Sequence, residues 1–377
     1  MKLLFGIKAM NNPGGGAERV LATVVNGLAD RSHEVAVLTF EQPGGQSFYP
    51  LNHTIQRLDL GIGSSVHPAT TGETLKRLPA LRQAVLEYAP DVAIGFMHSM
   101  FIPLGVALLG TATPVIASEH IVPEHYRSRR LLETMLLSIT PLLVRRITCV
   151  SEQVRWSYPW YLRQRMIAIA NPVTLSTSSI SSPPTPPPVG KTLLAVGRLE
   201  PQKDHGTLID AFSQIAADCP DWNLRVIGDG SLRTMLEDQI QALGLIERIS
   251  LINSTQNIAS EYQIADLFVM PSRYESFGLT AVEALSYGLP TVGFKDCQGI
   301  NQLIQSGING FLVDAADGRT TALATTLKKI MSDESLLKEL SNGTVDDLEI
   351  HQVHNVLDCW ESLLYEICPV SHCNGLN

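Results

Sequence analysis

Two cations and two carboxylates in the second half of the chain carry the densest chemical signal. Arg198 and Lys203 follow the apolar run Thr192 to Val196, and Glu275 and Glu283 flank the turn that follows a second run, Leu267 to Met270. If both runs are strands of an open α/β sheet, Arg198, Lys203 and Glu275 leave strand carboxyl ends, where such sheets bind ligands. An arginine offers a planar fork to phosphate oxygens and a lysine a mobile point charge, so the pair suits a diphosphate leaving group. Without a metal, such cations must carry the negative charge that develops on it. A carboxylate that accepts two hydroxyl hydrogen bonds is the natural reader of a sugar or ribose diol. The sequence places Glu275 in a loop and Glu283 inside a helix starting around Gly278, with the amides of Ser276, Phe277, Gly278 and Leu279 pointing at a bound anion or hydroxyls. Taken singly, these residues have plainer readings as solvated surface cations and salt-bridged glutamates.

Two glycine-rich turns leave an apolar run and open a helix: Gly14-Gly15-Gly16 and Gly228-Asp229-Gly230. Missing Cβ atoms let backbone N–H groups approach an anion at the positive end of a helix, but a tight turn needs glycine for steric reasons alone. Gly228-x-Gly230 continues to Arg233, where the dinucleotide fingerprint wants glycine, which speaks against a nicotinamide-dependent dehydrogenase. The six cysteines include no CxxC pair, against a zinc knuckle or redox pair and consistent with a reduced compartment.

Positioning these residues takes two α/β lobes. A chain of 377 residues exceeds one ordinary domain core, and 45% apolar against 17% charged residues is a globular balance. Buried strands are expected at residues 2–7, Val35 to Phe40, Val92 to Phe96 and Val115 to Ser118, with Ile147 to Val150 and Ile167 to Ala170 closing the first lobe around a helix from Ala17 to Ala29. Ser181 to Pro188 is too rich in proline for helix or central strand and reads as a linker with polyproline character. The alternation then restarts. Strands are expected at Thr192 to Val196, Asn223 to Ile227, Ile249 to Ile252, Leu267 to Met270, Thr291 to Phe294 and Phe311 to Val313. Helices are expected near Thr207 to Ala217, Ser231 to Leu243, Ala259 to Tyr262, Thr280 to Tyr287 and Thr321 to Met331. A last apolar helix, Val353 to Ile367, fits either lobe. Lys8 cuts the first apolar run short of a secretory signal, and Met100 to Gly110 and Leu131 to Val144 are too short or interrupted to span a bilayer, so a cytoplasmic protein is expected.

Gly15 to Val20, Gly197-Arg198 with Lys203, Gly228-Asp229-Gly230, and Glu275 with Glu283 occur in the order seen in the GT4 family of retaining glycosyltransferases, which the chain resembles over nearly its whole length. The resemblance implies a GT-B architecture, two Rossmann-like lobes facing a central cleft. Residues 1–175 form the N-terminal lobe with a returning C-terminal helix of about 353–377, 176–190 the linker, and 191–352 the nucleotide-sugar lobe. By the same resemblance Arg198 and Lys203 grip the donor diphosphate, Glu283 binds the ribose hydroxyls and Glu275 those of the transferred sugar. Ser276, Phe277, Gly278 and Leu279 support sugar and phosphate through their backbone, Gly15 and Gly16 approach the diphosphate, and His120 lies near the reacting sugar. As an isolated histidine after a strand, His120 would more often be structural. No Asp-x-Asp triplet occurs, which fits a metal-independent site. No cofactor is expected, since the nucleoside-diphosphate sugar is a substrate, and nucleic acid is not an expected partner.

Two departures stand out. Asp204 puts an acid beside Lys203 and weakens the local field unless it points away. Asn253 to Asn257 occupies the place where relatives carry a glycine beside the base, leaving uridine and guanosine donors both open, with uridine favoured.

The net charge of −9 divides unevenly: Met1 to Pro172 carries 16 Lys+Arg against 12 Asp+Glu, and the remainder 12 against 25. Tyr126 to Leu132 begins a basic helix, with apolar Met135, Leu136, Leu137 and Ile139 following and Arg145-Arg146 beyond. Such a helix suits an anionic membrane at the inner face of the cytoplasmic membrane or a lipid pyrophosphate, and equally an ordinary buried helix with a charged end. The resemblance extends to relatives that lengthen polyprenyl-diphosphate-linked glycans, which makes a lipid-linked glycan the expected acceptor. A catalytically silent GT-B-like partner subunit is the alternative, against which the intact Arg198, Lys203, Glu275 and Glu283 speak.

Overall fold

The computed structural model describes residues 1–11, 15–63, 70–121, 138–173, 190–316, 318–343 and 348–369. Gly14, the segment Tyr126 to Leu132 with Met135 to Leu137, and the proline-rich stretch Ser181 to Pro188 lie outside the described residues. Contacts divide the chain into two units, Met1–Pro172 with Glu349–Asn377, and Val173–Leu348.

Unit 1 is built on a seven-stranded sheet in the order β3-β2-β1-β4-β5-β6-β7. Its strands are β1 (Lys2–Gly6), β2 (Glu34–Thr39), β3 (Gln56–Asp59), β4 (Val92–Phe96), β5 (Val115–Ser118), β6 (Arg146–Cys149) and β7 (Met166–Ala168), all parallel. Helices α1 (Gly16–Asp30), α2 (Thr71–Tyr88), α3 (His98–Ala107), α4 (Glu152–Ser157) and α5 (Trp160–Arg163) connect them. Helix α1 buries Val20, Leu21, Val24, Val25 and Leu28, a stripe of helical period facing the sheet. The central strands β1, β2 and β4 are almost wholly buried, as parallel strands covered on both faces must be.

The last helix, Val353–Ile367, belongs to this unit. It buries Val356, Leu357, Trp360, Leu363 and Leu364. Leu357 meets α1 at Gly27, where an added Cβ would lie 2.5 Å from Leu357 Cδ1. Trp360 stacks on Phe96 at 6.3 Å and meets Phe5 edge-on at 6.1 Å. At the rim, Arg31 pairs with Asp358 and Glu361, and His33 Nε2 lies 2.9 Å from Glu361 Oε1.

Unit 2 repeats the plan with six parallel strands in the order β10-β9-β8-β11-β12-β13. These are β8 (Lys191–Val196), β9 (Trp222–Ile227), β10 (Ile249–Ile252), β11 (Leu267–Met270), β12 (Thr291–Phe294) and β13 (Gly310–Val313). Its helices are α6 (His205–Ile215), α7 (Arg233–Ala242), α8 (Ile258–Ile264), α9 (Leu279–Ser286), α10 (Arg319–Met331) and α11 (Glu334–Ser341), so Val353–Ile367 is α12. The core gathers Leu193, Leu208, Phe212, Leu224, Phe268 and Leu327 around the sheet.

Candidate active site

In unit 2 the strand order reverses between β8 and β11, which pair directly with Leu267 opposite Leu193. Chain that leaves such a pair turns away on either side, opening a crevice at the carboxyl ends. β8 leads into Arg198 and Lys203, and β11 into Glu275. Lys203 closes a single 3₁₀ turn, Pro201–Lys203. Its stem lies over Gly197, where an added Cβ would come within 3.2 Å of Lys203 Cδ. Its Nζ stands 2.5 Å from Glu275 Oε1, and the two side chains are only 14% and 10% exposed. Two further bonds set the register of the segments. Arg273 N donates to Gln202 O at 2.9 Å, and Gln202 Nε2 donates to Tyr274 O at 2.9 Å. Arg198 is exposed, and its guanidinium makes no ion pair or hydrogen bond among the described residues. His205, beneath this loop, is buried; burial and the neighbouring Lys203 charge push its pKa down to about 4, so its imidazole is neutral.

The loop after β11 is held in place by glycines. At Gly299 an added Cβ would lie 2.6 Å from Glu275 O and 2.7 Å from Phe277 N, so only glycine lets residues 297–300 pass this close. Gly278 is the N-cap of α9 at φ +77°, a left-handed conformation that glycine adopts without strain. Phe277 is buried and Leu279 is the first helical residue. The leading amides of α9 are of the kind that lack intrahelical acceptors. Glu283 is 2% exposed and lies inside α9, where its Oε2 accepts from Tyr262 Oη at 2.9 Å, whereas Lys203 pairs with Glu275. Tyr262 stacks on Tyr287 at 5.5 Å and is itself 1% exposed.

The turn Gly228-Asp229-Gly230 has a steric account. A Cβ at Gly228 would collide with Gly197 O, and one at Gly230 with Leu199 O. Helix α7 begins beyond it at Arg233. Asp229 reaches onward, its Oδ2 accepting from Ser254 N at 2.8 Å, and so anchors the Asn253 to Asn257 segment beside β10. Asp204 turns away from Lys203: Thr207 Oγ1 donates to its Oδ1, and Arg273 and Arg319 flank its Oδ2 at 3.1 and 3.4 Å.

Gly15, Gly16 and His120 lie in unit 1. Gly15 is the N-cap of α1 at φ −72°, a backbone conformation open to any residue, although a Cβ there would run into the Glu18 carboxylate, and a Cβ added at Gly16 would meet nothing within 4 Å among the described residues. Packing among the described residues therefore gives no reason for glycine at 16. His120 follows β5 and stacks on Phe96 at 4.8 Å with an interplanar angle of 20°. Phe96 is in turn stacked on Trp360, so the returning helix backs the ring that backs the histidine. Thr148 Oγ1 donates to Ser118 Oγ at 3.0 Å, and Ser118 Oγ lies 2.9 Å from His120 Nε2. With Ser118 donating onward, Nε2 is the acceptor and the proton sits on Nδ1, an assignment made from the network. Burial pushes the His120 pKa down to about 4, which keeps the ring neutral although part of its surface is accessible.

Tyr262, Gln202 and Gly299 escape inspection of the sequence. Gln202 matters because β8 and β11 are neighbours, Gly299 because β11 and β12 are, and Tyr262 because α8 and α9 meet, and none of these leaves a local signature; the glycine at 299, after a buried strand, is the one available hint.

Two parallel-sheet α/β domains, one with a cationic and acidic cluster at its strand switch point, define a glycosyltransferase of GT-B fold. Residues 14–177 match Glycosyltransferase Family 4 and residues 180–345 match Glycosyl transferases group 1. The chain belongs to the GT4-type glycosyltransferases. It is 24% identical to a glycosyltransferase of Haemophilus influenzae over 93% of this chain and 96% of that one. It is 25% identical to an undecaprenol-diphosphate-linked glycan α-1,4-N-acetyl-D-galactosaminyltransferase of Campylobacter jejuni over 97% and 99% of the two chains. Among solved structures, Anabaena Alr3699/HepE in complex with UDP and glucose superposes with a TM-score of 0.76 at 20% identity, covering 97% of this chain and all of that one.

Proposed function

We propose that this glycosyltransferase moves a hexose or N-acetylhexosamine, with retention, from a UDP-sugar to a hydroxyl of a glycan carried on polyprenyl diphosphate, in polysaccharide or glycoconjugate assembly. The observation that carries the reading is the Lys203–Glu275 pair at the carboxyl ends of β8 and β11, with Arg198 exposed in the segment between β8 and Lys203. A diphosphate offers Lys203 a stronger anion than Glu275, and the exchange frees Glu275 to accept hydroxyl hydrogen bonds from the sugar. The bond from anomeric carbon to phosphate oxygen breaks as the acceptor oxygen bonds the same face, and the acceptor proton passes to the leaving phosphate. Arg198 and Lys203 carry the charge that builds there, and Glu275 positions the sugar and stabilises positive charge at its anomeric carbon. Glu283, held by Tyr262, reads the ribose. Support for the donor comes from the UDP in the Anabaena complex, and for the acceptor from the name of the Campylobacter relative.

Peripheral contact with an anionic membrane at the inner face of the cytoplasmic membrane is part of the same proposal. No helix among the described residues is long and apolar enough to cross a membrane. Unit 1 exposes Trp156 and Trp160 at 67% and 64% and Leu142 at 81%, with Arg163 4.7 Å over the Trp156 ring, a pairing suited to the bilayer interface.

The test is a panel of uridine, guanosine and adenosine diphosphate sugars read by thermal shift and by slow donor hydrolysis. A uridine diphosphate sugar is expected to raise the melting temperature and to be hydrolysed. A chain that no nucleotide stabilises would overturn the proposal.

A further inference from the structure

Arg319, the first residue of α10, ties together the two segments that bear Lys203 and Glu275. Its guanidinium lies 3.6 Å from the Phe294 ring centroid and is only 17% exposed. Nη2 donates to Pro271 O at 3.0 Å and to Ser272 O at 3.1 Å, fixing the backbone that leads into Glu275. Nη1 donates to both oxygens of Asp296 at 3.1 and 3.0 Å. Nε stands 3.4 Å from Asp204 Oδ2, the carboxylate adjoining Lys203 in sequence.

Asp204 needs that company. It occupies the left-handed region at φ +52°, which Asp tolerates better than most residues but which still costs conformational energy. Its side chain is only 10% exposed. A carboxylate so placed is costly without a counter-charge, and it would compete with the donor for the field of Lys203. Arg273 also faces it, but that side chain is 56% exposed and water screens it. Arg319 is the enclosed partner.

We propose that Arg319 is a positioning residue of the donor site: it cancels the charge of Asp204, so that Lys203 keeps its field for the diphosphate, and it holds the Pro271–Ser272 backbone that places Glu275. This rests on the donor-site reading above and adds a residue to it. Two consequences separate. Charge cancellation governs nucleotide affinity, whereas the grip on the backbone governs turnover.

The experiment measures UDP and, in parallel, GDP dissociation constants by calorimetry, with donor-hydrolysis kcat and KM, for the wild type, R319Q, R319K, D204N and R319Q/D204N. R319Q is expected to weaken nucleotide binding about tenfold, and adding D204N to restore it to within about threefold, because the acid left with only the exposed Arg273 as counter-charge has gone. D204N alone binds at least as tightly as the wild type. R319K keeps the charge but cannot span both carbonyls and Asp296, so binding stays within about threefold while kcat falls about tenfold. A purely structural Arg319 would give a double variant no better than R319Q, and that result overturns the proposal, as does R319Q binding like the wild type. If R319Q does not fold, R319K decides: wild-type kcat in that variant overturns the proposal. A wild type that binds neither nucleotide sinks the donor-site reading itself, and this inference with it.

Discussion

Lys203 Nζ and Glu275 Oε1 are 2.5 Å apart although the residues arrive from different strands, because β8 and β11 meet at the point where the sheet of unit 2 changes winding direction. Both side chains are largely withdrawn from water, so each charge depends on the other until a ligand takes its place. On the proposed reading, a diphosphate exchanges this one salt bridge for a stronger set.

That exchange separates the two residues experimentally. Glu275→Ala is expected to lower transfer by at least about 100-fold while UDP binding largely survives, since diphosphate and ribose contacts remain. Lys203→Ala is expected to do the reverse in part, raising the donor KM and weakening UDP. Steady-state kinetics with UDP calorimetry on both variants reads the split; equal activity in Glu275→Ala would remove Glu275 from the site.

Gly299→Ala tests how tightly the Glu275 loop is held. The added methyl meets backbone, not a side chain that could swing aside, so the loop must move. We expect a loss of about 1–3 kcal/mol in stability from overpacking and about 100-fold in turnover from displacement of Glu275. Denaturant midpoints and kcat from one preparation decide it, and unchanged turnover would show that the loop has slack.

The buried strands are legible in this sequence because parallel strands covered on both faces need unbroken apolar runs, and Phe5, Ile94, Leu194 and Phe268 sit in such runs. Strand β3 is not, since Gln56-Arg57-Leu58-Asp59 at the sheet edge buries too little to leave a pattern. Helix α2 hides behind the interior Pro79 and α3 behind Pro103 and an apolar surface all round, so neither shows a clean helical period. Arg198, Lys203 and Glu275 can be singled out in the sequence because each follows the carboxyl end of an apolar run, where such sheets bind ligands. The orientation of Asp204 and the partners Tyr262 and Arg319 depend on long-range packing that no local spacing encodes.

Tyr262→Phe removes one oxygen from a buried pair. Tyr262 Oη is a donor to the Glu283 carboxylate, and hydrogen bonds to charged groups contribute about 1.5–3 kcal/mol. Stability of unit 2 is expected to fall by about that much, and nucleotide affinity several-fold if Glu283 reads the ribose as proposed, because Glu283 loses the bond that holds it. Urea denaturation and UDP calorimetry measure the two effects. A variant with wild-type affinity would confine Tyr262 to packing.

His120 and His205 give each unit its own acid sensitivity. Both are held neutral by burial, with pKa values pushed down to about 4 from an ordinary value of about 6.5. Above about pH 7 neither folded nor unfolded chain protonates them, and their contribution to stability is constant. As the pH falls below 6.5, the unfolded chain takes up a proton that the folded chain refuses. Stability then drops by up to about 1.4 kcal/mol per pH unit for each histidine until about pH 4, where both states are protonated. The window between pH 6.5 and 5 isolates this effect from the carboxylates, which titrate lower. Urea midpoints at pH 7.5, 6.5, 5.75 and 5 are expected to fall steadily in the wild type, and more slowly in His120→Gln for unit 1 and His205→Gln for unit 2. If the glutamine variants keep the wild-type slope, neither imidazole is the group that resists protonation.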